Sequence, residues 1–181
     1  MGRTGTAGPG LALQGTAGQV EYLAGDADTA EVASRACWSH FGEVGDTANY
    51  VMESWPLAKL AYELGRLDEV ARLAEMIEQN SPPYWAWAQV TWRAMRSKLL
   101  ARQGRFDEAQ GLAREATRLV EATDFLNLHG DVLMDLAEVL RLAGRADEAA
   151  RAAEGALRKY EQKDNVVMAG RAGKLSKELS K

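Results

Sequence analysis

The chain has 181 residues, long enough to bury a core without staples, and its one cysteine, Cys37, excludes an internal disulfide and any zinc site built on paired cysteines. With 26 acidic against 22 basic side chains, its net charge of −4 argues against a surface made to hold nucleic acid or an anionic membrane. No apolar run approaches the roughly 18 to 20 residues of a membrane span, so the composition reads as a cytoplasmic protein without a membrane or nucleic-acid partner.

Residues 1–10, rich in Gly, Thr and Ala, bury too little to order and read as a tail. From 11 to 163 the chain reads as four helical hairpins, each turning at a glycine: GDADTAE at Gly25, GRLDEVA at Gly65, GRFDEAQ at Gly104 and GRADEAA at Gly144. The spacings are 40, 39 and 40 residues. The first hairpin is the weakest, because Gln14, Gly18 and Glu21 stand where large apolar residues are expected; it is read as frayed or as packed against a missing preceding repeat, in which case the apolar surface it exposes favours a homodimer. Pro56 interrupts the pattern from Tyr50 to Leu64 and reads either as a first-turn proline or as a kink, with the kink preferred because Ala48 to Met52 already looks helical. Pro82-Pro83 separates the second and third hairpins. In the last hairpin Leu126, Leu133, Leu136, Val139, Leu140 and Ala143 recur at helical spacing, Gly144 ends the helix, and Asp147 and Glu148 open the next at the positive end of its dipole. Asp68 and Glu69, and Asp107 and Glu108, do the same in the middle units. Residues 164–181 read as a capping helix with a basic tail, with Val167, Leu175 and Leu179 facing the core. Seven basic side chains between Arg158 and Lys181 against three acidic ones read as a solvated face, with a contact for an acidic partner or nucleic acid as the alternative.

Aligned on the turn glycines, the copies agree beyond the turn. Seven residues before it stand Gly18, Ala58, Ser97 and Ala137, small enough for two helices to approach closely; five after it stand Ala30, Val70, Ala109 and Ala149; twelve after it stand Cys37, Ile77, Ala116 and Ala156. Cys37 therefore falls on a packing position.

This pattern resembles the tetratricopeptide repeat, best at Leu133, Leu136, Ala137, Leu140, Gly144, Ala149 and Ala156. The resemblance implies an all-α, right-handed α-solenoid of four hairpins plus the cap, whose first helices line an inner groove. The period of 39 or 40 exceeds the 34 residues of the usual repeat. Thr91 to Ala172, with the phrases ATDFLNLHGD and LAEVLRLAGR, is further similar to the C-terminal repeat region of bacterial adenylate/guanylate-cyclase-type regulators with AAA-like ATPase domains. That likeness implies a sensing arm beside a nucleotide-binding regulator, and leaves open a free-standing protein or a piece of a longer one.

No chemistry-bearing motif accompanies the repeats. There is no phosphate-cradling G-x-x-x-x-G-K-[ST] and no G-x-S-x-G. His40 and His129 lack a second ligand at i+3 or i+4, so no metal, cofactor or catalytic residue is expected and the chain is read as not an enzyme. What remains is a binding surface. Tyr84, Trp85, Trp87 and Trp92 form the densest aromatic group, read as anchors for a peptide or flat ligand or as filler between long helices, with packing preferred for Trp92; Trp85 and Trp92, seven apart, are read as sharing a helix face, with Trp87 pointing elsewhere. Arg93 and Arg96 are neighbours at i, i+3, with Lys98, Arg102 and Arg105 beyond, and are read either as a grip for a partner's carboxylate or as solvated charge. The function expected is a non-enzymatic module binding a protein or peptide segment, with a small-ligand sensor at Trp85–Trp92 or a detached regulatory part of a cyclase or ATPase as the alternatives.

Overall fold

A computed structural model describes Gly18 and residues 20–180. The tail expected at 1–10, Gln14 and Lys181 lie outside the described residues. After a short helical stretch at 20–24 come eight helices: α1 (Ala27–Val44), α2 (Thr47–Glu63), α3 (Leu67–Gln79), α4 (Ala86–Arg102), α5 (Phe106–Glu121), α6 (Leu126–Leu142), α7 (Ala146–Gln162) and α8 (Val166–Leu179). No strand occurs among the described residues. The chain divides into two compact units, one ending at Asn80 and one beginning at Ser81.

The helices stop and start by a recurrent device. Gly25, Gly45, Gly65, Gly104 and Gly144 all have φ between 73° and 92°. At each, the N–H of the glycine bonds back three residues and the next N–H five, as Gly104 to Ala101 and Arg105 to Leu100 do, which satisfies the last carbonyls of the helix. The sixth turn of this kind is made by Asp164 at φ 61°, a residue type that tolerates the left-handed region better than most. Gly45 is the turn that the 40-residue spacing does not reveal, since it joins one hairpin to the next. Side-chain oxygens of Asp26, Asp46 and Asn165 cap α1, α2 and α8 by accepting from Thr29, Asn49 and Met168 N–H groups. Arg66, Arg105 and Arg145 hold the same cap position on α3, α5 and α7 without such a bond, and acidic pairs fill the first turns instead.

In the first unit α1 packs on α2 and α2 on α3. Pro56 lies inside α2, which runs on through it. The proline has no N–H for the Met52 carbonyl, and Met52 is on the exposed side, where solvent can take that bond. In the second unit α4 packs on α5 and α6, α5 on α6, α6 on α7 and α7 on α8. The repeated small positions are the points of closest approach. Ala58, Ser97 and Ala137, then Ala30, Val70, Ala109 and Ala149, then Cys37, Ile77, Ala116 and Ala156 are all at most 1% exposed. A Cβ built on Gly18 would stand 2.6 Å from Ser34 Oγ, so nothing larger fits there without movement.

The cap corrects one expectation. Helix α8 covers the core through Met168, Ala172 and Ser176, with Leu175 and Leu179 packed at its margin, whereas Val167 is 43% exposed. The helix begins at Val166, so Met168, two residues further on and continued by Ala172 and Ser176 at i+4 and i+8, turns to α7 instead.

Candidate functional site

Helix α4 presents its side chains to two different neighbours, and this separates the residues that the sequence groups together. Trp85 is the residue before the helix, its N-cap, and its ring lies 6.2 Å from that of Trp87 at 32°. Trp85 therefore pairs with Trp87, not with Trp92, because a face shared at i and i+7 requires both residues to be helical. Tyr84 beside them is 87% exposed. Trp92 is only 9% exposed; its indole N–H donates to Gln89 Oε1 at 3.3 Å and the Arg93 guanidinium lies 4.2 Å above its ring. Arg93 donates from Nη1 to the Gln89 carbonyl at 2.8 Å, and its buried Nε, which makes no hydrogen bond, stands 3.1 Å from Glu115 Oε1 of α5.

Arg96 is exposed and borders a groove between α4 and α5. The groove encloses about 430 Å³ and is lined by Trp92, Arg96 and Leu100 from α4, Arg105 at the α5 cap, and Glu108, Gly111 and Leu112 from α5. A Cβ at Gly111 would meet nothing within 4 Å, so the glycine opens the floor. At the mouth Arg105 and Glu108 form a two-point pair, Nε to Oε1 at 2.7 Å and Nη2 to Oε2 at 2.5 Å. Their mutual bonds lower the Glu108 carboxyl and raise the Arg105 guanidinium, so both are charged. Of the sequence candidates, Trp92 and Arg96 meet here. Tyr84, Trp85 and Trp87 stand at the start of α4, and Arg93 is tied to α5.

Lys98 and Arg102 turn the other way, toward α6. Lys98 Nζ is 2.8 Å from Asp135 Oδ1 and 3.4 Å from Glu138 Oε2, and Arg102 Nη2 is 3.0 Å from Glu138 Oε1. Burial raises the Asp135 carboxyl to about 6, against the opposing pull of Lys98, with Asp131 and Glu138 adding to the rise. Its Oδ2 is buried without a hydrogen-bond partner. Behind it the Tyr160 hydroxyl, fully buried, donates to Asp131 Oδ1 at 2.6 Å. Sequence reasoning singles out neither Asp135 nor Glu138, although a signal exists: Lys98 and Glu138 both stand six residues before a turn glycine, as does Lys59, whose ammonium lies 5.6 and 5.4 Å from the rings of Tyr22 and Trp55. The cluster is balanced charge holding α4 to α6, with no nucleophile beside it. His129 is buried and its imidazole is pushed down by that burial and by Lys159. Among the described residues no group of three His, Cys, Asp or Glu side chains is gathered around a point that could hold a metal ion. No described helix is long and apolar enough to cross a membrane.

Comparison with protein families matches a tetratricopeptide-repeat model to residues 54–76, 92–115 and 131–154, each match running from within the first helix of a hairpin through the glycine turn into the second. Comparison with curated proteins finds no match to the chain.

Proposed function

We propose, from the premise that the chain is a tetratricopeptide-repeat protein, that its second unit binds a segment of a partner protein in the groove between α4 and α5. Repeats of this family serve as interaction scaffolds, and a scaffold is what the chemistry of the second unit suits: apolar walls and a charged mouth. The observation that carries the reading is the groove itself, where the Trp92 and Leu100 side chains, Leu112 and the open floor at Gly111 leave about 430 Å³ beside exposed Arg96. Large aromatic and arginine side chains at a concave, partly desolvated spot are the usual anchors of protein contacts. The role is non-enzymatic, and the setting a reducing cytoplasm in which buried Cys37 stays a thiol. A nucleotide-binding regulator, suggested by the resemblance of Thr91–Ala172 to regulator repeats, is one partner of this kind.

The test is to select binders from a displayed library of helical peptides on the full chain and to measure them against Gly111→Trp. Trp at this position fills the groove, while replacing a helical glycine does not weaken α5. Binding lost in the variant supports the site; binding that persists unchanged contradicts it.

A further inference from the structure

The two hairpins of each unit are tied together by one repeated set of side chains. In the first unit Glu31 of α1 accepts from Arg66 at 2.9 Å and Arg35 of α1 stands 2.8 Å from Glu69 of α3. In the second unit Gln110 of α5 accepts from Arg145, and Arg114 of α5 stands 3.1 Å from Glu148 of α7. The geometry is the same in both. A second helix presents a carboxylate or amide six residues after its turn glycine and an arginine four residues later. The following hairpin presents a socket, the arginine one residue and the glutamate four residues after its own glycine. Residues four apart lie on one face of a helix, so each contact is a helix laid across a two-charge socket.

The third hairpin carries the same socket, Arg105 and Glu108, and among the described residues these two bond only to each other. The sequence carries no matching helix for it in the preceding repeat, where the two presenting positions are Ala71 and Glu75. Arg105 and Glu108 form the mouth of the α4–α5 groove, beside Trp92, Leu100 and Leu112.

We infer that the occupant of this groove is an amphipathic helix of a partner protein bearing a carboxylate or amide at one position and an arginine four residues later, so that it meets Arg105 and Glu108 as α1 meets Arg66 and Glu69. The inference rests on the groove being the binding site proposed above and specifies what it recognises. Charge complementarity supplies the order of the two groups: the acidic or amide group faces Arg105, the arginine faces Glu108, and the reversed order sets like charges together. Apolar side chains on the same face of the helix would enter between Trp92 and Leu112.

The probe is a synthetic peptide with the sequence of residues 27–44, Cys37→Ala, which carries Glu31 and Arg35 in the required order. Its affinity for the full chain is measured by calorimetry, beside that of a peptide with Glu31→Arg and Arg35→Glu. Both are then measured on the chain with Arg105→Glu and Glu108→Arg, side chains exposed enough for the exchange to leave the fold intact. The expected result is about tenfold weaker binding when either side is exchanged alone and recovery when both are. Binding indifferent to the exchange, yet lost in Gly111→Trp, overturns the inference and leaves the proposed groove standing. Binding of neither peptide overturns the inference, whereas the proposed groove fails separately, if library-selected binders ignore Gly111→Trp.

Discussion

Arg35 of α1 stands 2.8 Å from Glu69 of α3, two residues 34 apart in sequence that join the first hairpin to the second. The pair is partly exposed, so its contribution is modest. A double-mutant cycle of Arg35→Ala and Glu69→Ala, read by urea unfolding, is expected to give a coupling of about 0.2–1 kcal/mol that shrinks in high salt. A coupling that salt leaves unchanged would contradict the reading of this contact between hairpins as electrostatic.

Gly130 and Gly111 are both helical glycines with opposite surroundings. A Cβ at Gly130 would lie 2.5 Å from Tyr160 Cε1, in the ring whose hydroxyl is fixed on Asp131, whereas a Cβ at Gly111 meets open space. Gly130→Ala is expected to cost about 1–3 kcal/mol by overpacking, and Gly111→Ala to gain up to about 1 kcal/mol from helix propensity. Thermal unfolding of the two variants checks the sign of each, and equal effects would contradict the packing described around Tyr160.

Asp135 gives a pH dependence whose direction follows from its burial. Its carboxyl titrates at about 6 in the fold, above its ordinary 3.8. Between these values the folded chain holds the proton that the unfolded chain has released. This group therefore stabilises the fold as the pH falls from about 6 to about 4, and raising the pH through that window withdraws on the order of 3 kcal/mol. The Asp135→Asn variant lacks the titration. The stability of the native chain relative to that variant is expected to rise as the pH is lowered from 6.5 to 4; a constant difference would contradict the raised carboxyl.

Lys98 is the counter-ion of that carboxyl, and its removal separates pairing from burial. Lys98→Met is expected to cost up to about 3–5 kcal/mol at neutral pH, because Asp135 loses its counter-ion and its carboxyl, already raised, must take up a proton to stay buried, while Lys98→Met with Asp135→Leu is expected to be neutral or stabilising. Equilibrium unfolding of both variants decides it, and a double variant weaker than the single one would contradict the account.

Much of the fold was legible because its markers are local. Glycine turns at 25, 65, 104 and 144 and small residues at fixed offsets specify hairpins without reference to anything distant. Gly45 escaped because it lies off the 40-residue period, although Gly45-Asp46 repeats the Gly25-Asp26 pair, each glycine closing a helix and each aspartate capping the next. The site was less legible. Trp85 and Trp92 share a face only if α4 begins before 85, and the helix begins at Ala86. Asp135 and the socket at Arg105 and Glu108 acquire meaning only once hairpins stack, since their partners or counterparts lie 37 to 40 residues away.

The most direct test of the groove as a binding site is hydrogen exchange of the full chain with and without a helical peptide selected from the library. Slowed exchange confined to residues 92–100 and 105–112 is the predicted result. Protection on α6 and α8 instead, or at Arg66 to Glu69 through replacement of the chain's own α1, would contradict it.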